Sequence, residues 1–188
     1  MSDDPLSAKR AHEEEYFQRK DRELIEKIRA QAKVQQQLRE MGEKIGVTDP
    51  EISRELAELG FTPETVRLLP LMPILEMAWA EGEVTGSERK LMVDIARSRG
   101  FEEGSAADRQ LVDWLERRPV ASVFRRASRL IGALFASGGR FDITPDDIIQ
   151  HCEAIADASG GLFGIRRVST EERATLARIA NEIKSRRT

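Results

Sequence analysis

The sequence predicts an all-α protein: a compact helical domain of two pseudo-repeated helix-loop-helix halves, preceded by a long N-terminal helix. The first sign is a short pattern that occurs twice, starting at Val84 and again at Val168, 84 residues later. The second is the run from Ser7 to Gly46, which contains no proline. The third is that no segment of the sequence shows the strict two-residue alternation of a half-buried strand. Together these observations predict helices and no sheet.

The first element is a charged helical arm over residues 1–48, which we expect to precede a helical domain over residues 49–188. The arm carries ten basic and ten acidic residues, and opposite charges recur at the spacings that support an exposed helix. Five of its apolar residues fit a narrow heptad-like stripe, as in a coiled coil. They are Phe17, Leu24, Ile28, Leu38 and Ile45, interrupted by Gln31 and Gln35. Either a second chain or the protein's own domain covers this stripe, and both alternatives are open.

Proline and capping residues predict where the next helices begin. Asp49 and Thr62, each followed by proline, each begin a helix, because proline at the first helical position loses no hydrogen bond. Pro70 and Pro73 interrupt the apolar segment that follows. We therefore expect a continuous helix only over residues 73–81.

The two copies of the repeat predict the starts of two later helices. Thr85 with Glu88, and Ser169 with Glu172, have the spacing of capping boxes. In a capping box the hydroxyl accepts a hydrogen bond from the amide three residues on, and the glutamate accepts one from the amide of the cap residue. Apolar residues at helical spacing follow each box. Helices are expected over five segments: 88–100, 105–118, 119–137, 144–157 and 169–184.

Composition argues against several classes of protein. The formal net charge of −3 argues against a nucleic-acid binder, which would carry a basic excess. The single cysteine, Cys152, excludes an intramolecular disulfide and fits a reducing cytosol. The most apolar run, residues 68–80, is too short to span a bilayer, and the acidic N-terminus shows no export signal. We therefore expect a cytoplasmic protein with no transmembrane segment.

Residues 78–88 read Ala-Trp-Ala-Glu-Gly-Glu-Val-Thr-Gly-Ser-Glu. This segment resembles the helix-loop-helix signature of the TerB-like (tellurite-resistance) family, which runs apolar helix, acid-Gly-x-apolar-Ser/Thr-x-x-Glu, second helix. The resemblance covers about residues 60–185 and leaves the N-terminal arm outside. It implies a compact all-helical fold with two pseudo-equivalent halves, which the internal repeat predicts independently, and a role in stress response.

The resemblance also implies a divalent-cation site, for Ca²⁺ or Mg²⁺, formed by acidic residues around the loops. Carried over by position, its ligands are Glu81 and Glu88 in the first half, with Glu83 nearby. In the second half, Asp157 and Glu172 take the corresponding places. Glu81 stands where the family usually has aspartate, and the second loop is longer than the first. Glu88 and Glu172 are also the glutamates of the capping boxes, so a purely structural role is the alternative for both.

The sequence contains no clear catalytic constellation. One cysteine and two histidines cannot form a zinc site of cysteine and histidine ligands, and the adjacent His151 and Cys152 point apart on a helix. We therefore expect a non-enzymatic interaction or stress-response module, and the resemblance implies that it responds to divalent cations. Its N-terminal helix is expected to bind a protein partner or to self-associate. The alternative is a metal-dependent enzyme of the hydrolase class that uses the acidic loop residues.

Overall fold

The structure is a computed structural model that describes residues 5–139, 141–158 and 169–184, with side chains described from residue 13 onward. Every regular element in these ranges is a helix, which confirms the predicted all-α fold with a long N-terminal helix. In chain order the helices are α1 (Pro5–Ile45), α2 (Pro50–Glu58), a 3₁₀ helix (Val66–Leu71), α3 (Met72–Ala78), α4 (Gly86–Ser98), α5 (Ala106–Glu116), α6 (Ala121–Ala136), α7 (Pro145–Ala158) and α8 (Thr170–Lys184). None of these helices combines the length and apolar composition that crossing a membrane requires.

Helix α3 lies at the centre of the fold, because its sequence is apolar on nearly every side. Six of its seven residues are buried, and it packs against α4, α6, α7 and α8. Its one charged residue, Glu76, pairs with Arg178 of α8 at 2.7 Å. Helices α6 and α8 also approach each other closely at Gly132, where an added Cβ would lie only 2.5 Å from the carbonyl oxygen of Glu182. The absence of a side chain at this position therefore allows the two helices to pack at this distance.

Helix α1 takes part in the core only near its C-terminal end. Leu38, Met41 and Ile45 are buried, and α1 packs there against α2 and the 3₁₀ helix. Every residue from 13 to 37 is exposed. At a rise of 1.5 Å per residue, these 25 residues form a solvated helix about 37 Å long. The last turns of α1 thus belong to the same apolar core as the helices that follow.

The segment between α2 and α3 differs from the sequence-based expectation. The sequence predicts a helix that starts at Thr62, but a turn forms there instead, in which the Thr65 hydroxyl accepts a hydrogen bond from the Thr62 amide at 2.9 Å. The 3₁₀ helix follows, and α3 begins only at Met72. Pro70 and Pro73 lack the amide donors that a continuous α-helix through this segment would need.

Candidate functional site

The loop between α3 and α4 positions the acidic residues of the first predicted half-site. The sequence predicted that the helix would continue to Glu81, but α3 ends at Ala78, so Glu81 and Glu83 lie in the connecting loop and are exposed. Gly82 has φ +95°, a left-handed conformation that favours glycine and that turns the chain toward α4. Glu88 follows in the first turn of α4 and is buried. The loop therefore separates exposed acids from a buried one.

Both capping boxes predicted from the sequence are present. The Glu88 carboxylate accepts hydrogen bonds from the Thr85 amide at 2.7 Å and from the Thr85 hydroxyl at 2.8 Å, while the Glu88 amide donates to that hydroxyl at 3.3 Å. At the start of α8, the Ser169 amide donates to the Glu172 carboxylate at 2.6 Å, and the Glu172 amide donates to the Ser169 hydroxyl at 3.1 Å. The two repeats thus begin their helices with equivalent caps.

The charge of one capping glutamate, Glu172, also acts on the other, Glu88, although they are 84 residues apart in sequence. Glu88 is 2% exposed and Glu172 is 1% exposed. Burial raises the pKa of Glu88 above its ordinary value, against the opposing effect of the Thr85 hydrogen bonds, and the negative charges of Glu172 and Glu81 raise it further. Two buried acids, one from each half, therefore lie within electrostatic range at the N-terminal ends of α4 and α8.

The other predicted cation ligands lie in solvent. Glu83 is exposed in the first loop, and Asp157 is exposed in the last turn of α7. Where the structure describes the chain, no three acidic, histidine or cysteine side chains group together as a metal site. The second loop, residues 159–168, lies outside the described residues. The cation site formed by Glu81, Glu83, Glu88, Asp157 and Glu172 stays a prediction, and the charges of Glu172 and Glu81 both act on Glu88.

Cys152 and His151 lie in environments that favour their neutral forms. Cys152 is buried, and burial raises the pKa of its thiol so that the thiolate is disfavoured. The Nε2 atom of His151 lies 3.3 Å from the guanidinium of Arg99, which can only donate, so the ring nitrogen accepts. Burial, and then the charge of Arg99, lower the pKa of His151. Cys152 thus packs in the core, and His151 links α7 to Arg99 at the C-terminal end of α4.

A second candidate site lies on the exposed part of α1. Phe17, Leu24 and Ile28, which we call the apolar stripe, are 63%, 56% and 55% exposed. The sequence predicted these three residues but missed three further large apolar side chains that α1 exposes to solvent: Tyr16, Ile25 and Val34. Each of the three is the immediate sequence neighbour of a position in the heptad-like pattern: Tyr16 precedes Phe17, Ile25 follows Leu24 and Val34 precedes Gln35. This position next to the pattern is the feature of the sequence from which they could have been found.

Toward the core, the heptad-like pattern reaches a cavity between α1 and the start of α2, which we call the foot cavity. It has a volume of about 220 Å³. Gln35, Leu38 and Gly42 line it from α1, and Val47 and Pro50 are among the residues on its other side. A Cβ at Gly42 would lie 2.5 Å from the carbonyl oxygen of Val47, so glycine allows this close approach. Local sequence pattern carries no signal for the cavity, because it arises only when α1 packs on α2.

No family model, curated protein or solved structure matches this chain. The resemblance to the TerB-like family therefore rests on residues 78–88 and on the internal repeat, and it stays a prediction. The described fold defines the class as an all-α protein with a solvated N-terminal helix and two buried capping glutamates.

Proposed function

We propose that this chain is a non-enzymatic protein-interaction module whose docking element is the exposed part of α1. The single observation that carries the proposal is the apolar stripe. Phe17, Leu24 and Ile28 each leave more than half of their surface in water, on a helix whose other residues from 13 to 37 are also exposed. Single exposed apolar side chains are ordinary, but several of them along one face of a helix mark an interaction surface. A helix that presents such a face is recognised by a groove or by another helix.

The chemistry of the described interior supports binding rather than catalysis. The buried glutamates Glu88 and Glu172 accept hydrogen bonds within helix caps. The thiol of Cys152 is held neutral by burial, and His151 is hydrogen-bonded to Arg99. The TerB-like resemblance supports assigning the module to a stress response.

Site-specific photo-crosslinking tests this function. A photoreactive benzoylphenylalanine at position 24 should give a discrete crosslinked species in cells, with this chain or with another protein. The same amino acid at position 120 is the matched control, because Val120 is 67% exposed but lies at the start of α6, away from the stripe. The adduct should disappear when Ile28→Asp is added, since a charge in the stripe is costly to bury. Equal labelling at positions 24 and 120 would contradict the proposed docking element.

A second candidate function, a response to divalent cations, is favoured by the approach of Glu88 and Glu172. Two buried carboxylates repel each other, and a cation would relieve that repulsion with the hard oxygen ligands that Ca²⁺ and Mg²⁺ prefer. Calorimetric titration with Ca²⁺, Mg²⁺ and Mn²⁺ should give heat with the wild type and none with Glu88→Gln/Glu172→Gln. A Glu153→Gln variant is the control, because Glu153 is an exposed acid of α7 outside the predicted site. Absence of heat in the wild type removes this candidate.

A further inference from the structure

We infer that the exposed part of α1 pairs antiparallel with the same helix of a second copy of this chain, so that Phe17 of each copy lies at the foot cavity of the other. This inference rests on the proposed function, because it names the partner of the docking element. It follows from three features: a row of residues along one face of α1, the foot cavity where that row ends, and the distribution of charge along α1.

The first feature is a continuous seam along α1. Residues spaced three or four apart lie on one face of a helix, and such a seam is what a partner helix covers. The seam positions are Phe17, Asp21, Leu24, Ile28, Gln31, Gln35, Leu38 and Gly42. Leu38 and Gly42 at its C-terminal end are buried, while every seam residue from Phe17 to Gln35 is exposed. A seam that is covered at one end by the protein's own domain thus continues uncovered for about five turns.

The second feature is the foot cavity. Three consecutive seam residues, Gln35, Leu38 and Gly42, line it. Its volume of about 220 Å³ exceeds that of the ~150 Å³ engineered cavity known to accept a benzene ring. An aromatic side chain presented by a second helix can therefore enter it. Phe17, the most exposed residue of the apolar stripe, is the aromatic seam residue that α1 offers.

The third feature is the segregation of charge along α1. Residues 13–15 are three consecutive glutamates. Residues 27–39 contain four basic residues and no acidic one: Lys27, Arg29, Lys33 and Arg39. A parallel pair would place like charges together at both ends, whereas an antiparallel pair places the acidic end of each copy along the basic segment of the other. A parallel pair would also set Asp21 against Asp21 in the seam.

One antiparallel register satisfies all three features. When Phe17 lies opposite Gln35, Leu24 lies opposite Ile28 across the centre of the pair. The same register brings residues 13–15 to the level of Arg39, which also lines the foot cavity. Asp21 then faces Gln31, whose amide can donate to the carboxylate. A lipid surface fits less well, because Glu14 and Asp21 on the stripe face oppose an anionic membrane.

Sedimentation equilibrium of the full chain at low ionic strength tests the inference. The wild type should be a concentration-dependent dimer, and Phe17→Ala should raise the dissociation constant more than about tenfold, as loss of an anchor residue does. Val120→Ala, which removes an exposed apolar side chain at the start of α6, should leave the constant unchanged. Circular dichroism should show the same helix content in all three proteins.

A charge change at position 31 tests the register. Gln31→Lys should tighten the dimer and Gln31→Glu should weaken it, because position 31 of each copy faces Asp21 of the other. In a parallel pair position 31 faces itself, so both variants would bring like charges together and weaken the dimer. A weaker dimer for Gln31→Lys therefore overturns the antiparallel register. An effect on the stability of the helix alone would have the opposite order, because Lys27 lies one turn before position 31.

The inference and the proposed function fail in different ways. A wild type that stays monomeric up to millimolar concentration, but whose position 24 crosslinks to another protein, overturns the second copy and leaves the docking element intact. A monomer that gives no specific crosslink overturns both. Co-sedimentation of a monomer with phosphatidylserine vesicles, lost in Phe17→Ala, overturns the second copy in favour of a membrane surface. A dimer that Gln31→Lys tightens supports both.

Discussion

Replacing Thr85 by alanine should destabilise the fold more than the same change at Thr144, although the two threonines make the same set of hydrogen bonds. The Thr144 amide and hydroxyl donate to Asp147 at 2.9 and 2.8 Å, and the Asp147 amide donates back at 3.1 Å. The corresponding distances at Thr85 are 2.7, 2.8 and 3.3 Å. The difference is burial, since Glu88 is 2% exposed while Thr144 is exposed and Asp147 is half-buried. The pair thus isolates the effect of burial on one capping motif.

The expected magnitudes follow from what replaces the hydroxyl. At Thr144, water can reach the carboxylate, so the loss should be near the lower end of the capping range, about 0.5–1 kcal/mol. At Thr85, the variant leaves a buried carboxylate with one donor fewer, and the loss should reach about 2 kcal/mol or slightly more. Urea unfolding should then show a midpoint shift of roughly 1 M for Thr85→Ala and less than half of that for Thr144→Ala.

Thr85→Ser keeps the hydroxyl and is the control, with a midpoint close to that of the wild type. The slopes of the unfolding curves must agree among the variants for the midpoints to be compared. Equal shifts for the two alanine variants would refute the argument, because burial of the carboxylate would then carry no weight. A larger shift at Thr144 would refute it more strongly.

Three further predictions concern the interior. Glu88→Gln should be more stable than the wild type at neutral pH, because burial raises the pKa of Glu88, so that its charged form destabilises the folded state, while glutamine still accepts the hydrogen bond of the cap. The advantage should vanish in unfolding curves as the pH falls through the raised pKa and below about 4.3, where the wild-type residue is protonated in both the folded and the unfolded state. Gly132→Ala should cost about 1–3 kcal/mol in thermal or urea unfolding, because its Cβ would meet the Glu182 carbonyl, whereas Gly86→Ala, with open space around it, should be tolerated. Cys152 should resist a thiol reagent in the folded protein and react at once in denaturant, and fast reaction of the native protein would contradict its burial.

Elements set by local rules could be predicted from the sequence. The capping boxes at Thr85 and Ser169 involve atoms within four residues, so their spacing alone predicts both helix starts. The exposed stripe followed from the scarcity of apolar residues in α1. The helix expected at Thr62 was wrong, because the nearby Pro70 and Pro73 and the Thr65 hydroxyl favour a turn and a 3₁₀ helix.

Features that depend on packing between distant segments could not be predicted. The sequence identified Glu88 and Glu172 as equivalent, but their approach depends on how α3 orders the helices around it. The foot cavity requires α1 to pack on α2, with Gly42 allowing the contact with Val47. Neither feature leaves a periodic signal in the chain, since each joins residues that are adjacent only after folding.

Helix α1 is exposed from residue 13 to residue 37 and ends in the core, and this has a consequence for how the stripe is displayed. Starting a helix in a disordered chain is the unfavourable step, whereas lengthening an existing helix is close to neutral. Leu38, Met41 and Ile45 are fixed by tertiary packing, so the residues before them need only extend turns that already exist. Amide hydrogen exchange should therefore slow steadily from Glu13 toward Leu38. If the core unfolds, these fixed turns are lost and the stripe loses its helical structure. A partner that binds the helical stripe therefore binds only while the rest of the protein is folded.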